Sequence, residues 1–491
     1  MNTRSHQLRL GALAAAVALA TAAAGSLSPT AAAAEPASFI ANDTMWHDTA
    51  GNEILAQGGN VLKVGSTYYW AGTKLVSGAA KDVNLYSSTD LENWTFEGPI
   101  LSQDGTEGDL AEGNWLGRPQ LVRNPASGTF VLVVEVDGAL GNNVLFATSP
   151  TVDGTYTPTG PSTTVNGNTM GDHSVFVDGD NAYLVYVGDN ATTRNVSVNV
   201  APLNSNWTAV EPAISSVWDN VHEAPAIVKA GATYYMFASG KDWWNATPTS
   251  YRTSSDLTGW SGWKTVPTEP SSANSFGTQF EQIIPVVGSQ GTSYLYNGDR
   301  YSQFKDGAAP APDGVGRKAW YPVTFASGIP KLHGSTDVDV DAAAGTLTVN
   351  EVANGRFDQD AAGVAPPQWD VSGTAGAAKT DVGTNGPDDR QLTMWHPSPY
   401  SAWVRQDLTL PNGTYTLSFD HKSSGGQNLA YAEVKNHGGP DIRTDLRTSR
   451  PGWTKRTVTF TVTTGTARIG IWTDGPGGTW LNIDNVSVWP S

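Results

Sequence analysis

Residues 220–240 read NVHEAPAIVKAGATYYMFASG, and the fold is argued outward from them. The second half is a Gly-containing turn followed by an aromatic apolar run, the pattern of a β-strand. The first half places one carboxylate, Glu223, between His222 and Ala224-Pro225. Pro225 fixes the backbone there and biases Ala224 away from helix. An acid held at a strand end among apolar neighbours suits a raised pKa and proton donation. A surface Glu in a loop has the same local sequence, so the rest of the chain must decide.

The strand Tyr234-Tyr235-Met236-Phe237 is followed by Ser254-Ser255-Asp256-Leu257-Thr258-Gly259-Trp260. Earlier, Tyr68-Tyr69-Trp70 is followed by Ser87-Ser88 and Asp90-Leu91-Glu92-Asn93-Trp94. Asp-Leu-x-x-Trp at matching places is an internal repeat. Weaker copies start at Phe130, Tyr183 and Tyr294. The copies lie roughly fifty to sixty residues apart, a propeller-blade spacing. This predicts an all-β chain with a five-bladed β-propeller over residues 38–334. The rival is a β-sandwich with chance aromatic hairpins. In a propeller, site residues come one or two per blade, each near a blade start. Asp172, in Gly-Asp-His-Ser-Val-Phe, and Gln279, in Thr-Gln-Phe-Glu-Gln, hold such positions beside Glu223. Two carboxylates converging on a channel can share acid/base work on a glycosidic bond.

Residues 335–349 turn rich in Asp and Ala, without aromatics, and read as a linker or edge strand. From residue 350 to 491 alternating strands resume, predicting a β-sandwich. Residues 1–34 read as a cleaved signal peptide: Arg4 and Arg9, an apolar Ala/Leu run, then Ala31 to Ala34. A secreted, extracellular protein is expected. No cysteine is present, so stability must come from the core rather than disulfides. The net charge of −17 disfavours nucleic acid and anionic membranes but admits neutral ligands. A monomer is expected.

The blocks Tyr-Tyr-Trp, Ser-Ser-x-Asp-Leu-x-x-Trp, Gly-Asp-His-Ser-Val-Phe-Val-Asp, Glu-Ala-Pro-Ala-Ile and Gly-Asp-Arg-Tyr…Trp-Tyr-Pro-Val resemble glycoside hydrolase family 43. The nearest group is its exo-β-1,3-galactanase-like branch. The resemblance spans about Asp48 to Leu332. It implies a five-bladed propeller that hydrolyses glycosides with inversion, on a polysaccharide or oligosaccharide substrate, with no required cofactor. By position, Glu223 matches the catalytic acid and Asp172 the carboxylate that tunes and orients it.

Most of the family carries a base Asp on the first blade, where this chain has Ala56-Gln57-Gly58-Gly59. The galactanase-like branch also lacks it and has a Gln before the fifth blade, matched by Gln279. That amide either holds the attacking water or is a buried, hydrogen-bonded side chain. Gln57 stands where the branch has a His, Thr73 and Gly117 where it usually has Glu. Gln57, Asp242, Trp243, Trp244 and Arg300 are expected to line the sugar site. A Trp pair serves equally in blade packing. Galactan is the favoured substrate. Other family 43 activities (arabinofuranosidase, xylosidase, galactofuranosidase), a lyase- or transferase-like propeller and a non-catalytic carbohydrate-binding propeller are the alternatives.

The C-terminal segment resembles jelly-roll carbohydrate-binding modules through Leu408 to Tyr415 and Asn482 to Val488. Trp395, His396, Tyr400 and Trp480 are expected to stack on sugar, Trp453 and Trp472 to be core. Glu351 and Asp484 are candidate ligands for a structural calcium, because hard oxygen ligands suit it. An unmetallated strand-edge pair is the alternative.

Overall fold

A computed structural model describes residues 36, 38–42, 44–75, 81–103, 105, 107–190, 193, 195–301, 317–357, 362–383 and 390–491. The expected signal peptide lies outside the described residues. Every named element is a β-strand.

Five sheets form the propeller. Their innermost strands are Gln57–Val64, Leu116–Arg123, Thr169–Asp178, His222–Ala230 and Gln279–Gly288. Strands follow one another outward in chain order within each blade. In blade five a short strand, Thr268–Glu269, adds to the outer edge in parallel.

The repeat in the sequence is a folded turn. In blade one the Ser88 hydroxyl accepts from Leu91 N at 2.9 Å, and Asp90 Oδ1 accepts from Glu92 N and Asn93 N at 2.9 and 2.8 Å. Trp94 Nε1 then donates to Leu91 O at 3.2 Å. Blade four repeats this with Ser254, Asp256 and Trp260. Both turn leucines take φ 69°, left-handed backbone that costs a non-Gly residue about 1 kcal/mol or more. The side-chain hydrogen bonds to backbone N–H groups offset that strain. These turns explain why Asp, Leu and Trp recur at fixed spacing.

Five apolar clusters fill the five interfaces between neighbouring blades. The cluster between blades five and one closes the ring. Trp70 and Trp94 of blade one meet Trp320 of blade five with ring centroids 5.0 and 5.8 Å away. Trp46, from the N-terminal segment, packs edge-on against Trp320 at 5.4 Å. Among the described residues no strand is exchanged between blades, and packing of large aromatic rings helps hold the closure.

The stretch 335–349 is not a loose linker. Asp337–Asp341 and Thr346–Val349 form a hairpin that pairs antiparallel with Ile40–Ala41. Val338 and Val340 enter the closure cluster. Of the two readings, linker or edge strand, the strand holds: alternation within DVDVD puts both valines inward and leaves Asp339 and Asp341 outward.

The C-terminal unit is a sandwich of two five-stranded sheets over one core. Trp453 and Trp472 are not in that core: both are half-buried on outward faces. On the strand Thr466–Gly475 the inward positions are Ala467, Ile469 and Ile471, so Trp472 points out. Tyr400 is buried instead. Its hydroxyl donates to Met394 O and Thr479 O, both at 3.0 Å, so it pins strands rather than offering a sugar platform. Trp395 and Trp480 are register partners, with Trp395 39% exposed. Burial pushes the Glu351 carboxyl up to about 7. Asp484 sits across the sheet from Asp420.

Candidate active site

All five inner strands break register near their first residues: Gln57/Asn60, Gly117/Gln120, Met170/His173, Glu223/Ala226 and Phe280/Gln282. A β-bulge bends its strand and re-aims the side chains beside it. Gln57, Arg118, Asp172 and Glu223 sit at these bulges, Gln279 lies just before the fifth, and all line one cleft of about 330 Å³. Trp115, Glu135, Asn142, Trp243, Trp244 and Tyr301 complete much of its wall. Ala224 is kept out of right-handed helix, as the sequence leads one to expect, and takes φ 54°, left-handed backbone at the bulge.

Glu223 is partly exposed to the cleft and held from both sides. Its neighbour His222 stacks on Trp263 with ring centroids 4.3 Å apart, and His222 Nδ1 lies 2.9 Å from Asp219 Oδ2. Burial, first, and the nearby charge of Asp172, second, push the Glu223 carboxyl up to about 7. Arg118, Lys241 and the Asp242 backbone N–H pull the other way. An acid with that pKa stays largely protonated in weakly acid solution and is able to donate a proton.

Arg118 sits at the floor, fully buried and at φ 48°. Its Nε donates to Asp172 Oδ1 at 2.6 Å and its Nη1 to Glu281 Oε2 at 2.5 Å. Burial opposes its charge, but Asp172 and Glu281 more than offset that. One guanidinium therefore ties blade two to blades three and five. Gly58 N donates to Asp299 Oδ2 at 2.7 Å, and Lys318 pairs with Asp299, so blade one is tied to blade five as well.

Gln279 lines the cleft, and its Nε2 donates to Trp243 O at 2.7 Å and Asn245 O at 3.0 Å. Carbonyls only accept, which orients the amide and leaves Oε1 for other partners. Gln279 thus also anchors the loop that carries Trp243 and Trp244. Gln57 is buried with both amide atoms lacking a partner, a state that a hydroxyl or water in the cleft would relieve.

Two expected site residues lie elsewhere. Arg300 does not line the cleft: its Nη1 donates to Asn42 O at 2.7 Å and its Nη2 to Tyr321 Oη at 3.0 Å. Asp242 is exposed outside the lining and reaches the site through its backbone N–H. Two further carboxylates of the propeller, Glu281 and Glu53, are committed to structural partners. Glu281 is buried under Arg118 and Tyr301, and Glu53 pairs with Arg317.

Glu135 escaped the sequence reading. Its signal was there: one carboxylate in Phe130–Val136, a strand otherwise of Phe, Val and Leu. Among the described residues, no group of three or more His, Asp or Glu is placed to hold a metal.

Comparison with solved structures places this geometry. An exo-β-1,3-galactanase from Phanerochaete chrysosporium, solved with β-1,3-galactotriose, is 26% identical with a TM-score of 0.57. The match covers 92% of this chain and 100% of that one. The exo-β-1,3-galactanase 1,3Gal43A from Clostridium thermocellum is 24% identical, TM-score 0.56, over 86% of this chain and 100% of that one. No curated protein matches the sequence. The family model for glycosyl hydrolases family 43 matches residues 55–275. Over residues 55–275 this chain is similar to the family 43 glycoside hydrolases, and its five-bladed propeller is followed by a β-sandwich domain.

Proposed function

We propose that this protein is a secreted, exo-acting hydrolase that releases galactose from β-1,3-linked galactan with inversion. The observation that carries the reading is the Glu223–Asp172 pair in one cleft that the amide of Gln279 also lines. Glu223 protonates the leaving-group oxygen. Asp172, fixed by Arg118, favours that proton on Glu223 by its charge. Gln279 orients the attacking water by accepting a hydrogen bond through Oε1, and the proton that water gives up on attack passes to solvent, a weaker assistance than a carboxylate gives. A cleft of about 330 Å³ lies at the small end of ligand sites, roughly 300–1,000 Å³, which suits a chain end better than a chain middle. The similarity to an exo-β-1,3-galactanase solved with β-1,3-galactotriose favours galactan.

Incubation with β-1,3-galactan, followed by NMR of the first product, tests the reading. Galactose appearing first as the α-anomer is expected. A first-formed β-anomer, or no galactose release while another glycan is cleaved, overturns it.

The pH dependence follows from signs. The acid works protonated, so turnover is present below the Glu223 pKa and lost as pH rises through about 7. Asp172→Asn removes a neighbouring negative charge, so the basic limb of the rate profile should move to lower pH. An unmoved limb would detach Asp172 from the proton donor.

For Gln279→Ala, turnover should fall by about 10²-fold or more, the lower range for a group assisting proton transfer. Because Gln279 also anchors Trp243, the variant's near-ultraviolet circular dichroism should be compared with that of the wild type. Near-normal turnover removes Gln279 from the reaction.

A further inference from the structure

We propose that Glu135 binds a hydroxyl of the terminal sugar and thereby selects which neutral sugar the cleft accepts. The inference rests on the hydrolase reading of the same cleft. Phe130–Val136 is buried at all seven positions, and Glu135 is 4% exposed within it. A buried carboxylate needs partners. Those it has are neutral: the Asn142 amide donates to Oε1, and the Trp115 side chain donates as well. Arg118, the nearest guanidinium, is bonded to Asp172 and Glu281 instead. A carboxylate offers about four acceptor positions, so two protein donors leave capacity for a ligand donor.

The surroundings fit a sugar. Gly117 faces Glu135 across the strand pair. A Cβ there would lie 2.5 Å from the Trp115 ring, so the indole fills the space that a side chain at 117 would take. Trp115 meets Trp244 at 6.0 Å, and Trp244 meets Tyr301 at 5.1 Å. A sugar has an apolar face for such a wall and hydroxyls for an acceptor at its foot. A hydroxyl donating to a carboxylate forms a charge-assisted bond, stronger than a neutral one. Burial and Asp172 push the Glu135 carboxyl up to about 7, and in its protonated form it donates to the same hydroxyl. The cleft holds Glu135, Asp172 and Glu223, with Glu281 beneath and one guanidinium among them. A sugar carrying its own carboxylate would be repelled.

The test uses the full-length protein with an aryl β-galactoside and its 2-, 3-, 4- and 6-deoxy forms. Hydrolysis of the parent by wild type checks the hydrolase reading alone. One deoxy form should lose about 10–100-fold in kcat/KM, the scale of a hydrogen bond to a charged group. In Glu135→Ala that same loss should shrink to under about threefold, with KM for the parent raised more than kcat is lowered. Glu135→Gln should keep part of the discrimination, and it serves if the alanine variant does not fold. Unchanged discrimination in both variants overturns the assignment and leaves the hydrolase reading standing. A wild type inactive on every galactoside overturns both.

Discussion

Glu223→Gln should lower turnover on β-1,3-galactan by about 10²–10⁴-fold, the usual contribution of a positioned acid. Glutamine keeps the shape of the side chain but has no proton to transfer. Its folding should be undisturbed, because the bulge at Glu223/Ala226 and the Asp219–His222–Trp263 packing do not depend on the carboxyl. The size of the loss should follow the leaving group. An aryl galactoside with an acidic phenol needs little protonation and should lose far less than the glycan does. Paired measurements of kcat on both substrates check this. Equal, small losses on both would mean that protonation comes from elsewhere, and Glu135 would then be the next acid to examine.

Arg118→Met should be the most destabilising change in the cleft. The guanidinium is buried and bonded to carboxylates of blades three and five. Removing one partner of a buried ion pair leaves the other charge uncompensated and costs about 3–5 kcal/mol. Here two carboxylates lose their partner at once. Glu281 is already pushed up to about 8 by burial, with Arg118 the main opposing influence. Without Arg118 it should take up a proton and escape part of the penalty. Denaturant unfolding at two pH values checks both points: a large loss near pH 8 and a smaller one near pH 5. Stability equal to that of the wild type at both pH values would show that the ion-pair network is not what joins these blades. Activity should also vanish, because Asp172 loses the donor that fixes it.

Much of the fold was legible in residues 220–240 and the copies of that pattern. Aromatic runs mark the second strand of a blade because their rings fill the space between blades. Asp-Leu-x-x-Trp marks a turn whose hydrogen bonds and left-handed leucine need those side chains. Both are local physics, so they show in the linear chain. The hairpin at 337–349 did not show, since its partner, Ile40–Ala41, is almost three hundred residues away.

The site divides the same way. Glu223, Asp172 and Gln279 could be picked because each precedes an aromatic strand and matches a family block. Trp472 and Tyr400 were misread because strand alternation fixes two faces without saying which one is inward. Arg300 looked like a sugar ligand and is instead bound to Asn42 and Tyr321. Glu135 went unseen because it lies in the second strand of its blade, away from the blade starts where site residues were sought. By itself the sequence determined the repeat, the blade starts and which carboxylates stand at them, all set by spacing and local turn chemistry. Only the tertiary structure decided which charges meet. Arg118, Asp172, Glu223, Glu281 and Glu135 come from four blades, and closing the ring brings them to one end of the channel. Their pKa values and pairings come from that convergence and from burial, which no local stretch of the chain encodes.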